Sequence, residues 1–117
     1  MTKKQNIPKL LILCTVSTGL DSVLEVIQRG FPIEAIVGLN PKAADPVKIS
    51  GYIDIKKFAT ENKIKYRYVD TYNLSTARDE SIFSELYFEL IWVAGWQRLI
   101  PEWLLNKLSV KVIWNLS

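Results

Sequence analysis

Histidine is absent from this sequence, and cysteine occurs once in 117 residues. Without histidine the chain lacks the side chain most often used as a general base near neutral pH and as a metal ligand. The single cysteine, Cys14, excludes a disulfide framework within the chain and suits a reducing compartment. It lies in an apolar run and reads as a small buried hydrophobe with no histidine to activate it. Long hydrophobic runs are missing as well, and the longest fall far short of the ~20 residues that span a bilayer. Lys3 and Lys4 precede an apolar run of only about six residues, which reads as a strand and not a signal sequence, so the cytoplasm is the expected compartment. A surplus of one charge is also lacking. The net charge is +3, with eight Lys/Arg against five Asp/Glu in the first half and seven against seven in the second. No basic stripe results, which argues against a nucleic-acid partner. Neither a Walker A loop nor a Gly-x-Gly-x-x-Gly is present, and the carboxylates are scattered, with no close pair suited to acid–base work.

What is there is an ordinary globular composition, 49% hydrophobic and 23% charged, of a length that fits one domain. Residues 10–14, Leu-Leu-Ile-Leu-Cys, form an apolar run without alternation, the mark of a strand covered on both faces. Leu20, Val23, Leu24, Val26 and Ile27 recur at helical spacing over 20–29, with Ser17 or Thr18 as a cap and Gly30 as a stop. The cap could also hold an anion on its free N–H groups. A second strand is expected over 33–39, and 40–51, with two prolines and a glycine, reads as a long surface loop. A helix over 54–62, an alternating edge strand over 65–69, a helix over 79–87, a strand over 90–94, a helix over 101–107 and a last strand over 110–113 follow. The order predicts an α/β domain with a doubly wound, Rossmann-like parallel sheet, five strands in order 3-2-1-4-5 and helices on both faces. The strand order then reverses between the first and fourth strands, and a ligand crevice opens beyond their carboxyl ends.

The 90–105 stretch lies at that crevice. A buried strand stops at Gly95, and Trp96, Gln97, Arg98, Leu99 and Ile100 make an irregular turn before Pro101 opens a helix. Two readings fit: a plain connection with two core tryptophans, or a site whose backbone groups orient a flat heteroaromatic ligand between an indole and the aliphatic Leu99 and Ile100.

Ala94-Gly-Trp-Gln-Arg-Leu-Ile-Pro101, after Leu90-Ile-Trp-Val93, resembles the amino-terminal half of the 10-formyltetrahydrofolate-dependent formyltransferases. That family includes the glycinamide ribonucleotide, methionyl-tRNA and amino-sugar N-formyltransferases. The likeness extends to Gly19-Leu-Asp-Ser22 and Val37-Gly-Leu-Asn40, and Gly51-Tyr-Ile-Asp54 is similar to the amino-sugar branch. The resemblance implies that the chain transfers a formyl group from 10-formyltetrahydrofolate to an amine of a nucleotide-linked amino sugar. It implies that Gly95, Trp96, Gln97, Arg98, Leu99 and Ile100 hold the pterin, largely through backbone contacts.

The family follows its fifth strand with Asn-x-His or Gly-x-His, and a catalytic aspartate lies well downstream. Aligned without a gap from Pro101, Trp114 falls on the first position and Leu116 on the histidine. One residue over, Asn115 falls on the asparagine and Ser117 on the histidine. Neither register retains the histidine, and Asn115 is the single catalytic candidate. The chain is therefore expected to be a truncated, cofactor-binding half, inactive alone, since general acid–base work is worth about 10²–10⁴-fold. Its last strand, with Val110, Val112, Ile113 and Trp114, is expected to self-associate as an apolar edge. The alternatives are a non-catalytic folate- or nucleotide-binding module, a methionyl-tRNA formyltransferase-like enzyme, and an unrelated doubly wound binding domain.

Overall fold

The computed structural model describes residues 7–107 and, as backbone, residues 113–116. Among them the chain runs β1 (Leu10–Leu13), α1 (Ser17–Gln28), β2 (Ile33–Leu39), α2 (Pro41–Val47), α3 (Lys56–Glu61), β3 (Tyr66–Val69), α4 (Ala77–Ser84), β4 (Leu90–Ala94), α5 (Glu102–Leu105) and β5 (Ile113–Leu116). The strands pair in parallel in the order β3-β2-β1-β4-β5. Strands β3, β2, β1 and β4 carry the described side-chain core. Strand β5 joins through its backbone, with Val93 opposite Asn115 and Ala94 opposite Leu116.

All four residues of β1 are buried, as an apolar run without alternation requires. Successive side chains point to opposite faces, so the run feeds two cores. Leu11 and Leu13 join Val37, Ile91 and Val93 under Ile82 and Phe83 of α4 and Leu104 of α5. Ile12 and Cys14 join Ile36 and Ala94 under Leu20 and Val23 of α1 and Ala59 of α3. Burying each such Leu or Ile side chain is worth about 1.5–3 kcal/mol, and helices on both faces follow from it.

Several local expectations need correction. Residues 40–51 contain a helix, α2, and not only a loop. Asn40 caps it by accepting the Lys42 N–H at 3.0 Å, and Pro41 takes the first position, where its missing N–H costs nothing. Helix α1 starts at Ser17, and Val16, in extended conformation, is its cap residue without a side-chain bond. Ser17 and Thr18 thus lie inside the first turn, and the Ser17 N–H donates to Gly51 O at 3.0 Å. That bond removes a donor from the anion reading. Gly30 does stop the helix, with its N–H on Ile27 O and the Phe31 N–H on Val26 O. Helix α4 begins two residues before its expected start because Thr76 and Asp79 form a capping box. The last strand is Ile113–Leu116 in place of 110–113, since β4 extends to Ala94 and its partners run to Leu116. Val110 and Val112 lie outside the described residues.

Candidate functional site

The site is built where β1 and β4 lie side by side and their following segments diverge. Two glycines let those segments approach each other. A Cβ on Gly19, in the first turn of α1, would stand 2.1 Å from the Ala94 carbonyl oxygen, so the helix rests directly on the end of β4. Gly95 has φ +83°, and a Cβ there would also stand 2.3 Å from Val16 Cγ2. Between these contacts Thr15, fully buried, donates its N–H to Gly95 O at 3.1 Å and accepts the Ile53 N–H at 2.9 Å on its carbonyl oxygen.

The residues expected in the turn divide into two groups. Trp96 is 3% exposed and belongs to the core beside Tyr72, with ring centroids 5.1 Å apart in an edge-on arrangement. Its indole Nε1 is buried with no hydrogen-bond partner. Gln97, Arg98 and Leu99 are exposed, Leu99 at 94%, and Ile100 is half-buried against the core. The Gln97 N–H donates to Tyr72 Oη at 2.8 Å, and its carbonyl accepts from Arg98 Nη1 at 2.9 Å. The backbone amides of Leu99 and Ile100 have no partner among the described residues. Among the described residues the Trp96 and Arg98 N–H groups are unpartnered as well, so the 95–100 turn offers several free amide donors, those of Leu99 and Ile100 lying at its exposed end before Pro101. Asn115 stands at the same end of the sheet, one strand over and opposite Val93.

Three residues of this region carry no motif that sequence reasoning singled out: Thr15, Tyr72 and Asp79. Tyr72 sits in the β3–α4 connection, 6% exposed, with its hydroxyl 3.2 Å from Thr15 Oγ1. Asp79 is fully buried and organises that connection. Its Oδ1 accepts the Asp70 N–H at 2.6 Å, and its Oδ2 accepts the Thr71 hydroxyl at 2.6 Å and the Thr76 N–H at 3.4 Å. Burial alone would raise the Asp79 pKa, but these hydrogen bonds outweigh it and hold the carboxyl below its usual value. The signal for Asp79 was present as Thr76-x-x-Asp79, a capping-box spacing. Nothing in the spacing of Thr15 or Tyr72 marks their contact.

Cys14 is no competing site. Burial pushes its thiol up to about 11, and Sγ donates to Val16 O at 3.3 Å. A concavity of about 710 Å³ lies at the β3 edge, away from the turn, and includes Arg67 and Arg78. Arg67 donates to the carbonyl of Tyr66 and Arg78 pairs with Asp70 at 3.0 Å, so these cations read as guards of an edge strand. Among the described residues no group of His, Cys, Asp and Glu could hold a metal ion, and no helix is long and apolar enough to cross a membrane.

No family model matches the chain, and no curated protein matches it. Among solved structures it is similar to the phosphoribosylglycinamide formyltransferase (purN) of Coxiella burnetii, with a TM-score of 0.60 and 17% identity. The match covers 92% of this chain and 50% of that one. The fold is one a formyltransferase uses. At this identity the likeness concerns architecture, and the chain spans half the length of that relative.

Proposed function

We propose that this chain is the formyl-donor-binding half of a formyltransferase that takes its formyl group from 10-formyltetrahydrofolate and passes it to the amine of a nucleotide-linked amino sugar in the cytoplasm. The observation that carries the reading is the 95–100 turn, with unpartnered amides that include those of Leu99 and Ile100, at the strand-order reversal of a fold shared with a formyltransferase.

The residues present suit a pterin. Leu99 and Ile100 N–H groups would donate to its polar edge, and Ile100 would supply apolar contact. A buried donor without an acceptor costs about 1–3 kcal/mol, so the orphaned Trp96 Nε1 is a further group that a ligand or water oxygen near the turn would satisfy. Formyl transfer to an amine is acyl transfer and requires no metal. Asn115, at the carboxyl end of β5, would help stabilise the oxyanion that forms as the amine attacks the formyl carbon. No histidine is available to accept the amine's proton, which favours a second reading: a module that binds folate or nucleotide without transferring the formyl group. A methionyl-tRNA acceptor has no support in the charge distribution, which lacks a basic stripe.

Titration calorimetry with a non-hydrolysable 10-formyltetrahydrofolate analogue tests the donor. Saturable binding to the wild type, weakened by Ile100→Asp, is the expected result. No heat of binding at millimolar ligand would overturn the folate reading. We also propose that β5, paired with β4 on one side only among the described residues, self-associates through its other edge.

A further inference from the structure

Tyr72 joins three segments that are distant in sequence. Gly95 O can only accept, so the 2.7 Å bond from Thr15 Oγ1 commits the threonine proton to it. The 3.2 Å contact between Thr15 Oγ1 and Tyr72 Oη must then carry the tyrosine proton, donated to the threonine oxygen. That leaves the Tyr72 oxygen as the acceptor of the Gln97 N–H, at 2.8 Å. Each hydroxyl donates once and accepts once, and the chain runs in a single direction: Gln97 N–H to Tyr72, Tyr72 to Thr15, Thr15 to Gly95 O. It starts and ends on the same turn, bracketing Trp96. The aromatic ring adds to the grip, edge-on to Trp96 and with Arg98 Cζ 4.5 Å from its centroid. The segment that presents Tyr72 is itself tied down by Asp79, through Asp70 and Thr71.

We propose that Tyr72 is a positioning residue: with Thr15 it fixes the backbone of the 95–97 corner and so aims the free amides of Leu99 and Ile100 at their ligand. This rests on the reading of the turn as a ligand site. A rigid corner matters because two amides can meet a planar ligand edge together only in one backbone arrangement, and ordering them beforehand spares that cost on binding.

The test uses Tyr72→Phe, which keeps the ring and removes the hydroxyl, with Thr15→Val and Thr15→Ser. Two quantities are read: hydrogen exchange of the Gln97 amide relative to core β1 amides, and the Kd of the 10-formyltetrahydrofolate analogue. Tyr72→Phe and Thr15→Val are expected to speed Gln97 exchange at least ten-fold with core amides still protected, and to weaken the analogue at least ten-fold. Thr15→Ser, which retains the hydroxyl, is expected to restore both. Unchanged Gln97 exchange in Tyr72→Phe overturns the proposal, as does faster exchange with wild-type affinity. If the wild type itself binds no analogue, the folate reading fails, and Gln97 exchange still decides whether Tyr72 holds the turn. If Tyr72→Phe does not fold, the Thr15→Val and Thr15→Ser pair decides by the same readings.

Discussion

At Gly19 and Gly95 a single hydrogen in place of a methyl group decides how closely the two loops meet. Gly95→Ala would force an alanine to φ +83° and bring its Cβ against Val16 Cγ2. Strain of this kind costs about 1–3 kcal/mol, and the free energy of unfolding is expected to fall by that amount, with a lower denaturant midpoint. Gly19→Ala is expected to be worse, because the atom in the way is the Ala94 backbone oxygen at 2.1 Å, which cannot rotate aside. Comparing the two variants by urea unfolding checks the ranking. An equal loss, or none at Gly19, would mean that α1 can lift from β4 at little cost. Gly95 was legible as a strand stop from its place after an apolar run. Gly19 was not legible as a contact, since its partner Ala94 lies on a strand that only the fold brings near. Cys14 was read correctly as a buried hydrophobe, and its raised pKa predicts that a thiol reagent labels it only after denaturation.

Among the elements, α4 and the connection before it depend on one carboxylate. Thr76→Ala removes the cap on the Asp79 N–H and is expected to cost about 1 kcal/mol. Asp79→Asn is expected to cost more, because at least one of the donors from Asp70, Thr71 and Thr76 would then face an amide NH₂ group. The pH dependence follows from the sign of the shift. The folded carboxyl titrates below its unfolded value, about 3.9, so its contribution is fully present above that value and is lost as pH falls through the folded value. Urea midpoints measured from near neutrality down to about pH 2 should fall at the acid end for the wild type and fall less for Asp79→Asn. Identical acid slopes would show that other carboxylates carry the effect. Glu34 is one such group, lowered chiefly by the Tyr87 N–H and further by Lys9 and Lys65. Helix positions with an apolar period, such as α1, were legible in the sequence. The proline-containing α2 was not, because prolines at its start and near its end look like breakers until Asn40 is seen to cap it.

For the whole molecule, the alternation of strands and helices was sufficient to anticipate a parallel, doubly wound sheet with β1 and β4 adjacent, because buried strands need helices on both faces and crossovers to connect them. The place of the 95–100 turn followed from that topology. The hydrogen-bond chain that shapes the turn did not, since Thr15, Tyr72 and Gln97 come from separate loops and carry no shared pattern. The edge pairing proposed for β5 predicts concentration-dependent sedimentation in analytical ultracentrifugation, and a clean monomer at high concentration would contradict it. The central claim is that the free amides of the turn bind the formyl donor, and amide chemical shifts of the isotopically labelled chain report on them directly. On titration with the 10-formyltetrahydrofolate analogue, saturable shifts largest at Leu99 and Ile100 are expected, with core β1 amides unmoved. Shifts centred elsewhere, or none at millimolar ligand, would contradict it.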